Sequence, residues 1–504
     1  MLTVGRLVAT SSVYPLRGDL RPRGERPPRG RKGLRRPRLT RRHTCGVAYL
    51  PNSDADRTAM LEVVGAGSVS DLFATIPASL RDPTVELPPP LGEQDLVAEV
   101  ERLAARNHPL SELDNFLGAG VYSRFIPAIV RGTIGRPEFY TAYTPYQAEA
   151  SQGTLQTIFE FQSMICALTG LDVANASLYD GATAAAEAMM LAVQATGRDR
   201  IAVSGAVHPE TLRVLRTFAA GRSVSLDVVA ARDDVTSIDD VRATLDERHA
   251  GLLVQQPTFF GTLETLAGLA EAAHAVGALA LCSADPLACT VLVPPADAGF
   301  DVCVGDGQPL GVPASFGGPH VGYMAVRQAL VRRMPGRLVG ITNDHAGRRA
   351  YALTLQTREQ HIRREHATSN ICTNHALVAL AATVYMAHMG AGGMREVATV
   401  SAQRAHHLAD ELCAVKGFSL ASATPFLWEF VLRCPADAAA VAAAMREQGI
   451  VAGLPLGRVD AARADELLVC CTEMTSRPAI DRFVAALTAL DTAALPQVRQ
   501  EVAV

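Results

Sequence analysis

Short apolar segments alternate with longer amphipathic ones between residues 150 and 330. Segments that are apolar throughout are typical of strands buried on both faces, so the alternation predicts an α/β fold with a mostly parallel sheet between two layers of helices. Ligands of such sheets bind at the carboxyl ends of the strands. The predicted strands are 201–206, 224–231, 250–256, 278–284 and 300–306, and the predicted helices are 182–195, 209–220, 237–248 and 262–276.

The pattern differs on either side of this region. Residues 46–130 predict a helical N-terminal arm, in which Leu96, Val97, Val100 and Leu103 form an apolar stripe. Residues 131–385 then form the large α/β domain, and residues 386–504 predict a small α+β domain. The elements expected in the small domain are a long helix at 393–415, strands at 426–434 and 466–474, and helices at 437–448 and 477–490.

The N-terminal tail has an unusual composition. Residues 1–43 carry a net charge of +11, whereas the rest of the chain carries −15. Dense Arg, Pro and Gly cannot build a core, so residues 1–45 are expected to be a disordered extension. A transit peptide and a nucleic-acid-binding segment are alternatives, but an incidental extension or a misassigned start is favoured.

Charge and hydropathy also restrict the partners. The acidic body lacks a broad nucleic-acid footprint, and no apolar run approaches the roughly 20 residues of a membrane span. The ten cysteines contain no C-x-x-C pair and lie mostly in apolar surroundings, which predicts buried free thiols in a reducing compartment. We therefore expect a cytoplasmic protein with neither a nucleic-acid nor a membrane partner, and with no metal site.

Several polar residues follow the predicted strands. Asp180, Gly181 and Thr183 open a helix, where backbone N–H groups could hold a phosphate, although an Asp N-cap explains the same residues. His208 could stack on a cofactor ring or could be an ordinary loop residue. Asp285 could pair with a positively charged ring nitrogen or could cap the turn at the next residue. The residues alone leave each pair of interpretations open.

A tyrosine block stands out in a chain with only 5% aromatic residues. Tyr140, Tyr143 and Tyr146 are spaced three residues apart and are followed by Gln and Gly. Plain core packing would favour Phe or Leu, because a buried phenol needs a hydrogen-bond partner. The block is therefore interpreted as the lining of a site or a subunit interface.

Together these segments resemble the glycine-cleavage P-protein family, and within it subunit 1 of the two-subunit bacterial form. The resemblance implies the aspartate-aminotransferase-like fold, which is fold type I of the pyridoxal-phosphate enzymes. It runs from about residue 49 to the C-terminus, and the tyrosine block is its most specific part. The segments that carry it are 49–61, 115–127, 138–162, 173–189, 256–264 and 355–374.

The position of the cofactor lysine sets this chain apart. Family members that hold pyridoxal phosphate carry a motif like HKTFCIPHGGGGP, and an ungapped alignment places its lysine on Gln308 and its GGP on 317–319. A glutamine amide is not nucleophilic and cannot form a Schiff base. Only two lysines occur in the chain, and neither Lys32 in the tail nor Lys416 near the C-terminus is a good substitute. His366 stands where relatives commonly carry Lys, which leaves the role of that position in doubt.

The resemblance implies how the remaining residues are used. Asp180, Gly181, Thr183, His208 and Asp285 would be remnants of a silent cofactor pocket. The three tyrosines of the block would reach the site of a lysine-bearing subunit 2, on which pyridoxal phosphate is expected.

The implied enzyme is a glycine dehydrogenase (decarboxylating), expected as a heterotetramer with two copies of each subunit. It would release CO2 from glycine and transfer the aminomethyl group to the lipoyl group of H-protein. One alternative is a stand-alone, cofactor-free pseudoenzyme that binds the lipoyl carrier. A decarboxylase with its own lysine is disfavoured, because no lysine occurs between residues 33 and 415. Nucleic-acid binding through the basic tail is a further alternative.

Overall fold

The computed structural model describes residues 52–497 except 82, 85, 368, 372 and 373. The chain divides into two compact units, of which the first ends at Leu96 and the second begins at Val97. The predicted disordered extension, residues 1–45, lies outside the described residues. The boundaries proposed at 130 and 385 remain predictions.

The described residues form helices and strands joined by loops and short 3-10 turns. The α-helices are α1 (Asp54–Val64), α2 (Glu93–Ala104), α3 (Ala128–Ile134), α4 (Pro137–Tyr140), α5 (Gln152–Thr169), α6 (Gly181–Thr196), α7 (Pro209–Arg222), α8 (Ile238–Thr244), α9 (Leu266–Ala275), α10 (Gln360–Arg363), α11 (Ala376–Cys413), α12 (Ala438–Arg446) and α13 (Arg477–Ala489). The strands are β1 (Asp114–Asn115), β2 (Val173–Ala174), β3 (Arg200–Ser204), β4 (Ser225–Val229), β5 (Ala231–Arg232), β6 (Val235–Thr236), β7 (His249–Gln256), β8 (Leu279–Ala284), β9 (Val302–Asp306), β10 (Gly322–Val326), β11 (Leu338–Asn343), β12 (Arg349–Thr354), β13 (Ser419–Leu420), β14 (Glu429–Arg433), β15 (Ile450–Val451), β16 (Leu454–Pro455) and β17 (Glu466–Cys470).

Helices α1 and α2 lie in the region for which a helical arm was predicted. Ser53 caps α1: its hydroxyl accepts a hydrogen bond from the backbone N–H of Asp56, whose carboxylate accepts one from the backbone N–H of Ser53. The apolar stripe of α2 is 45–54% exposed at all four predicted positions.

A seven-stranded sheet forms the centre of the second unit, with the order β2-β10-β9-β8-β7-β3-β4. Strands β9, β8, β7, β3 and β4 are parallel, while β10 runs antiparallel to both β9 and β2. All five parallel strands were predicted from the sequence. Their carboxyl ends meet at one edge of the sheet, which is where the candidate residues lie.

Successive residues of β7 explain why the parallel strands are apolar throughout. Leu252 and Val254 belong to the core cluster that contains Leu269 of α9, whereas Leu253 belongs to the cluster that contains Met189 of α6. Side chains of a strand alternate between the two faces of the sheet. Both faces are therefore covered by helices, as the sequence predicted.

The C-terminal part has its own antiparallel sheet, with the order β13-β14-β17-β16, and carries α12 and α13. Helix α11 begins at Ala376, well before the predicted start at 393. Gly390 adopts a positive φ of 61° and interrupts this element, so the predicted helix corresponds to the part of α11 after the interruption. The prediction missed the part before it.

By length and composition alone, α11 could cross a membrane. This is weak evidence, because the core helix of a globular domain passes the same test. Its residues Ala405, Leu408 and Leu412 are fully buried in the main core cluster.

Candidate functional site

A cavity of about 390 Å³ lies at the carboxyl ends of the parallel strands, and we name it the sheet-end cavity. It is lined by Asp180 and Gly181 at the start of α6, by His208 after β3, by Asp285 after β8 and by Asp306 at the end of β9. The structure thus brings together four of the residues predicted to form a cofactor pocket. The fifth, Thr183, hydrogen-bonds to Asp180 but is not part of the lining.

Gln308 lies in the loop after β9, but it does not line this cavity. Its amide nitrogen donates to the carbonyl oxygens of Tyr122 and Val312 at 2.9 and 2.8 Å, and its amide oxygen accepts from the backbone N–H of Tyr122 at 2.9 Å. The residue is only 1% exposed. The amide therefore joins the Tyr122 segment to the loop after β9, and its polar atoms are occupied by backbone groups.

Asp180 caps the start of α6 and also lines the sheet-end cavity. The backbone N–H and the hydroxyl of Thr183 both donate to the Asp180 carboxylate, at 2.8 and 2.7 Å, so Asp180 is an N-cap. The backbone N–H of Gly181 donates to the Asp306 carboxylate at 3.0 Å. A carboxylate of the chain itself therefore occupies the position that a phosphate would take at this helix end.

His208 forms one wall of the sheet-end cavity. Its Nδ1 accepts a hydrogen bond from the backbone N–H of Glu210, and its Nε2 lies 3.1 Å from the carbonyl oxygen of Ala119. These partners fit a neutral ring that carries its hydrogen on Nε2. Burial lowers the pKa of His208, which keeps the ring uncharged near neutral pH.

Asp285 caps the turn that follows it and also lines the cavity. Its Oδ1 accepts hydrogen bonds from the backbone N–H groups of Leu287 and Ala288, at 2.8 and 3.2 Å. Burial raises the pKa of Asp285, and the positive charge of Arg124 opposes this. Among the described residues, no donor approaches Oδ2 within hydrogen-bonding distance, so one oxygen remains available to a ligand.

Buried charges beneath the cavity hold the Tyr122 segment in place. Glu429 accepts hydrogen bonds from the Tyr122 hydroxyl and from the backbone N–H of Ala119, both at 2.7 Å. Burial raises the pKa of Glu429 to about 7. Arg124 donates to Glu473 at 2.8 Å, and its guanidinium lies 4.8 Å from the ring of Trp428. The sequence analysis did not predict these residues. Glu429 could have been found from the sequence, because it is the only carboxylate in the apolar segment 426–434.

The tyrosine block lies beside a second cavity of about 380 Å³, which we name the tyrosine cavity. Tyr140 and Tyr143 line it together with Arg337 and His375. The Tyr146 hydroxyl accepts a hydrogen bond of 3.3 Å from Arg337, whose side chain is buried. The three tyrosines are 68%, 79% and 52% exposed, so the structure excludes core packing for them.

The two cavities are neighbours. Pro319 and His375 line both of them. The imidazole Nδ1 of His375 lies 2.6 Å from the carbonyl oxygen of His320, in the loop that contains the glycine-rich segment. Neither His375 nor Arg337 was predicted as a site residue, because neither stands at the end of a predicted strand.

Other candidate residues lie elsewhere. His366 is exposed beside Glu365 and lines neither cavity, so its role remains a prediction. Lys416 is exposed in the turn after α11. It lines neither cavity, in agreement with the expectation that it does not replace the cofactor lysine. All eight described cysteines are free, and Cys282, Cys303, Cys434, Cys470 and Cys471 are buried; Cys45 and Cys372 lie outside the described residues. No group of His, Cys, Asp and Glu suited to a metal ion occurs among the residues that were described.

Solved structures with the same architecture define the class of the protein. A sphingosine-1-phosphate lyase of Burkholderia pseudomallei superposes with a TM-score of 0.57 at 16% identity, covering 81% of this chain and 93% of its own. A glutamate decarboxylase of Lactobacillus brevis superposes with a TM-score of 0.60 at 15% identity, covering 82% and 96%. The fold is that of fold type I of the pyridoxal-phosphate enzymes, as predicted.

More similar proteins specify the family within this class. The family model described as glycine cleavage system P-protein matches residues 47–487. A probable glycine dehydrogenase (decarboxylating) subunit 1 of Thermomicrobium roseum is 48% identical over 88% of this chain and 99% of its own length, and one of Chlorobium limicola is 47% identical over 88% and 100%. A crystal structure of glycine decarboxylase (P-protein) in inhibitor-bound form is 44% identical, with a TM-score of 0.79 over 87% of this chain and 99% of its own. The chain belongs to the glycine cleavage system P-protein family.

The residues present do not fit a covalently held pyridoxal phosphate. Gln308 has no nucleophilic amine, and its amide is turned away from the sheet-end cavity into backbone hydrogen bonds. The N–H group of Gly181 is already taken by Asp306. The covalent anchor is therefore missing in this chain, and one backbone donor at the start of α6 is occupied by a carboxylate of the chain itself.

Proposed function

We propose that this chain is subunit 1 of a glycine dehydrogenase (decarboxylating) and acts with a lysine-bearing subunit 2. In the overall reaction the bond between the two carbons of glycine breaks and CO2 leaves. The remaining carbon forms a bond to one lipoyl sulfur of H-protein, while the lipoyl disulfide breaks and its second sulfur takes up a proton. The high identity to relatives named subunit 1, along their full length, supports this assignment.

The glutamine at position 308 is the observation that carries the proposal. This chain lacks the reactive amine of its family because residue 308 is a glutamine. Its amide is held by three backbone groups at 2.8–2.9 Å, which gives it a structural role. Pyridoxal phosphate, which stabilises the negative charge left by CO2 loss, then belongs on subunit 2. We expect the enzyme to be a cytoplasmic heterotetramer with two copies of each subunit, in which subunit 2 holds the cofactor.

The tyrosine block is the part of this chain that we assign to the shared site. Tyr143 is 79% exposed at the mouth of the tyrosine cavity, and its hydroxyl has no hydrogen-bond partner among the described residues. An exposed phenol on a folded rim can donate a hydrogen bond to a bound substrate or cofactor without rearrangement. We infer that Tyr140, Tyr143 and Tyr146 face the cofactor of subunit 2.

Reconstitution tests the assignment directly. We expect the purified chain to show neither Schiff-base absorbance with added pyridoxal phosphate nor exchange of the glycine carboxyl group with bicarbonate. Co-expression with a lysine-bearing homologue should give a stable complex in which both signals are present. Exchange activity from this chain in the absence of subunit 2 contradicts the proposal, as does a lack of complex formation. Binding of lipoylated H-protein by the chain alone would instead support the pseudoenzyme alternative.

Substitution of Tyr143 tests the role of the block. In the reconstituted complex, Tyr143→Phe should lower kcat roughly tenfold, which corresponds to one lost hydrogen bond in the transition state. Tyr351→Phe is the matched control, because this partly buried tyrosine packs on Phe159, outside both cavities. Equal kinetics of the two variants would assign the block to packing between subunits.

A further inference from the structure

The sheet-end cavity keeps the shape of a binding site although its covalent anchor is lost. Its volume of about 390 Å³ is within the range of small-molecule sites. The walls include the imidazole of His208 and the ring of Tyr122. A cavity of this size, next to the exposed tyrosine block, has room for a ligand with a single ring.

The charges that line this cavity are predominantly negative, although His320, whose pKa Asp306 raises, also lines it. The carboxylates of Asp180, Glu210, Asp285 and Asp306 line it, and among its described lining residues there is neither Arg nor Lys. Arg124 lies close enough to influence Asp285, but it is paired with Glu473 and does not line the cavity. The cavity therefore attracts cations and repels anions.

The end of the cavity nearest α6 disfavours the binding of a phosphate group. Asp306 accepts the hydrogen bond of the Gly181 N–H at 3.0 Å, which removes one of the donors that a phosphate oxygen could use. The same carboxylate adds a negative charge at that point, with His320 Nδ1 at 3.8 Å as its nearest cationic partner. A dianionic phosphate would have to displace or approach this carboxylate.

Two polar atoms of the lining are left for a ligand. Oδ2 of Asp285 accepts no hydrogen bond from the described part of the chain. Nε2 of His320 is buried without a hydrogen-bond partner of good geometry, and the His320 side chain is only 9% exposed. Polar groups in such surroundings are normally paired. Oδ2 of Asp285 can accept a hydrogen bond, and Nε2 of His320, whose pKa the neighbouring Asp306 raises, can donate one. A molecule with both a donor and an acceptor therefore fits the site.

From these observations we propose that the sheet-end cavity binds a small amine-bearing ligand that has no phosphate group. The carboxylates select the ammonium group, Asp306 excludes phosphate, and the rings of His208 and Tyr122 accommodate an apolar or aromatic body. This site goes beyond the proposed function, because it concerns noncovalent binding to this chain itself.

Pyridoxamine and pyridoxamine 5′-phosphate are suitable probes, because both carry an amine and they differ only in the phosphate. We expect isothermal titration of the purified chain to show pyridoxamine binding roughly tenfold or more tightly than its phosphate ester. Absence of pyridoxamine binding at millimolar concentration, or equal or tighter binding of the phosphate ester, overturns the proposal.

Two variants locate the site. Asp306→Asn removes the charge and can keep an oxygen for the Gly181 N–H, but it loses the hydrogen bond from the Gln308 N–H. The preference for pyridoxamine over its phosphate ester should therefore shrink by roughly tenfold. Asp285→Asn should weaken pyridoxamine binding without changing that preference. An unchanged preference in a folded Asp306→Asn protein refutes the role of Asp306. Because these titrations need no partner subunit, their failure leaves the assignment as subunit 1 untouched.

Discussion

The hydrogen bonds of Gln308 can be tested by a change of one atom. Gln308→Glu preserves shape but replaces the amide donor by an oxygen that faces the carbonyls of Tyr122 and Val312. Each buried carbonyl left without a donor costs about 1–3 kcal/mol, so the folded state should lose roughly 2–5 kcal/mol. At lower pH the penalty should shrink, because a protonated carboxyl can donate to one of the two carbonyls.

Trp428 provides a local signal for this measurement. It is the only tryptophan in the chain, and its ring lies 6.3 Å from the Tyr122 ring. The midpoint of urea unfolding, followed by its fluorescence, should decrease for Gln308→Glu with little change in the m-value. Gln448→Glu makes the same chemical change at an exposed position. If the two variants unfold within about 0.5 kcal/mol of each other, the amide does not hold the segment as inferred.

Two further changes test the surroundings of Glu429. Its pKa of about 7, well above the ordinary value of 4.5, means that the folded state binds an extra proton, so stability should fall as pH rises from 4.5 to 7. Glu429→Gln should reduce the dependence of unfolding free energy on pH, measured by urea titration. A remaining dependence is expected from buried Glu187, whose pKa is also about 7. An unchanged pH dependence in the variant contradicts the raised pKa of Glu429. Gly261→Ala should cost more than about 3 kcal/mol or prevent folding, because φ is 85° and the new Cβ would overlap the carbonyl of Glu429. Gly197→Ala, also at positive φ but with open space around it, is the control and should cost only about 1 kcal/mol.

The sequence by itself determined the α/β architecture and the absence of a Schiff-base lysine at position 308. Strands such as β7 are apolar on both faces, and this local pattern was sufficient to predict a covered parallel sheet. The ends of the predicted strands located His208 and Asp285 at one edge of that sheet. The identity of residue 308 excluded a Schiff base without any coordinates, because the chemistry of an amide does not depend on the fold.

Only the tertiary structure decided how these residues are used. The contact of Asp306 with Gly181 joins residues 125 positions apart, and that of Glu429 with Tyr122 joins residues 307 apart. Such pairings leave no trace in local periodicity, which records only the neighbours along one helix or strand. The exposure of the tyrosine block and the partners of Arg337 are likewise set by packing between distant segments. The sequence therefore identified the edge of the sheet at which the cavity lies. Only the folded chain showed that Asp306 occupies the Gly181 N–H at the start of α6 and that carboxylates line the cavity.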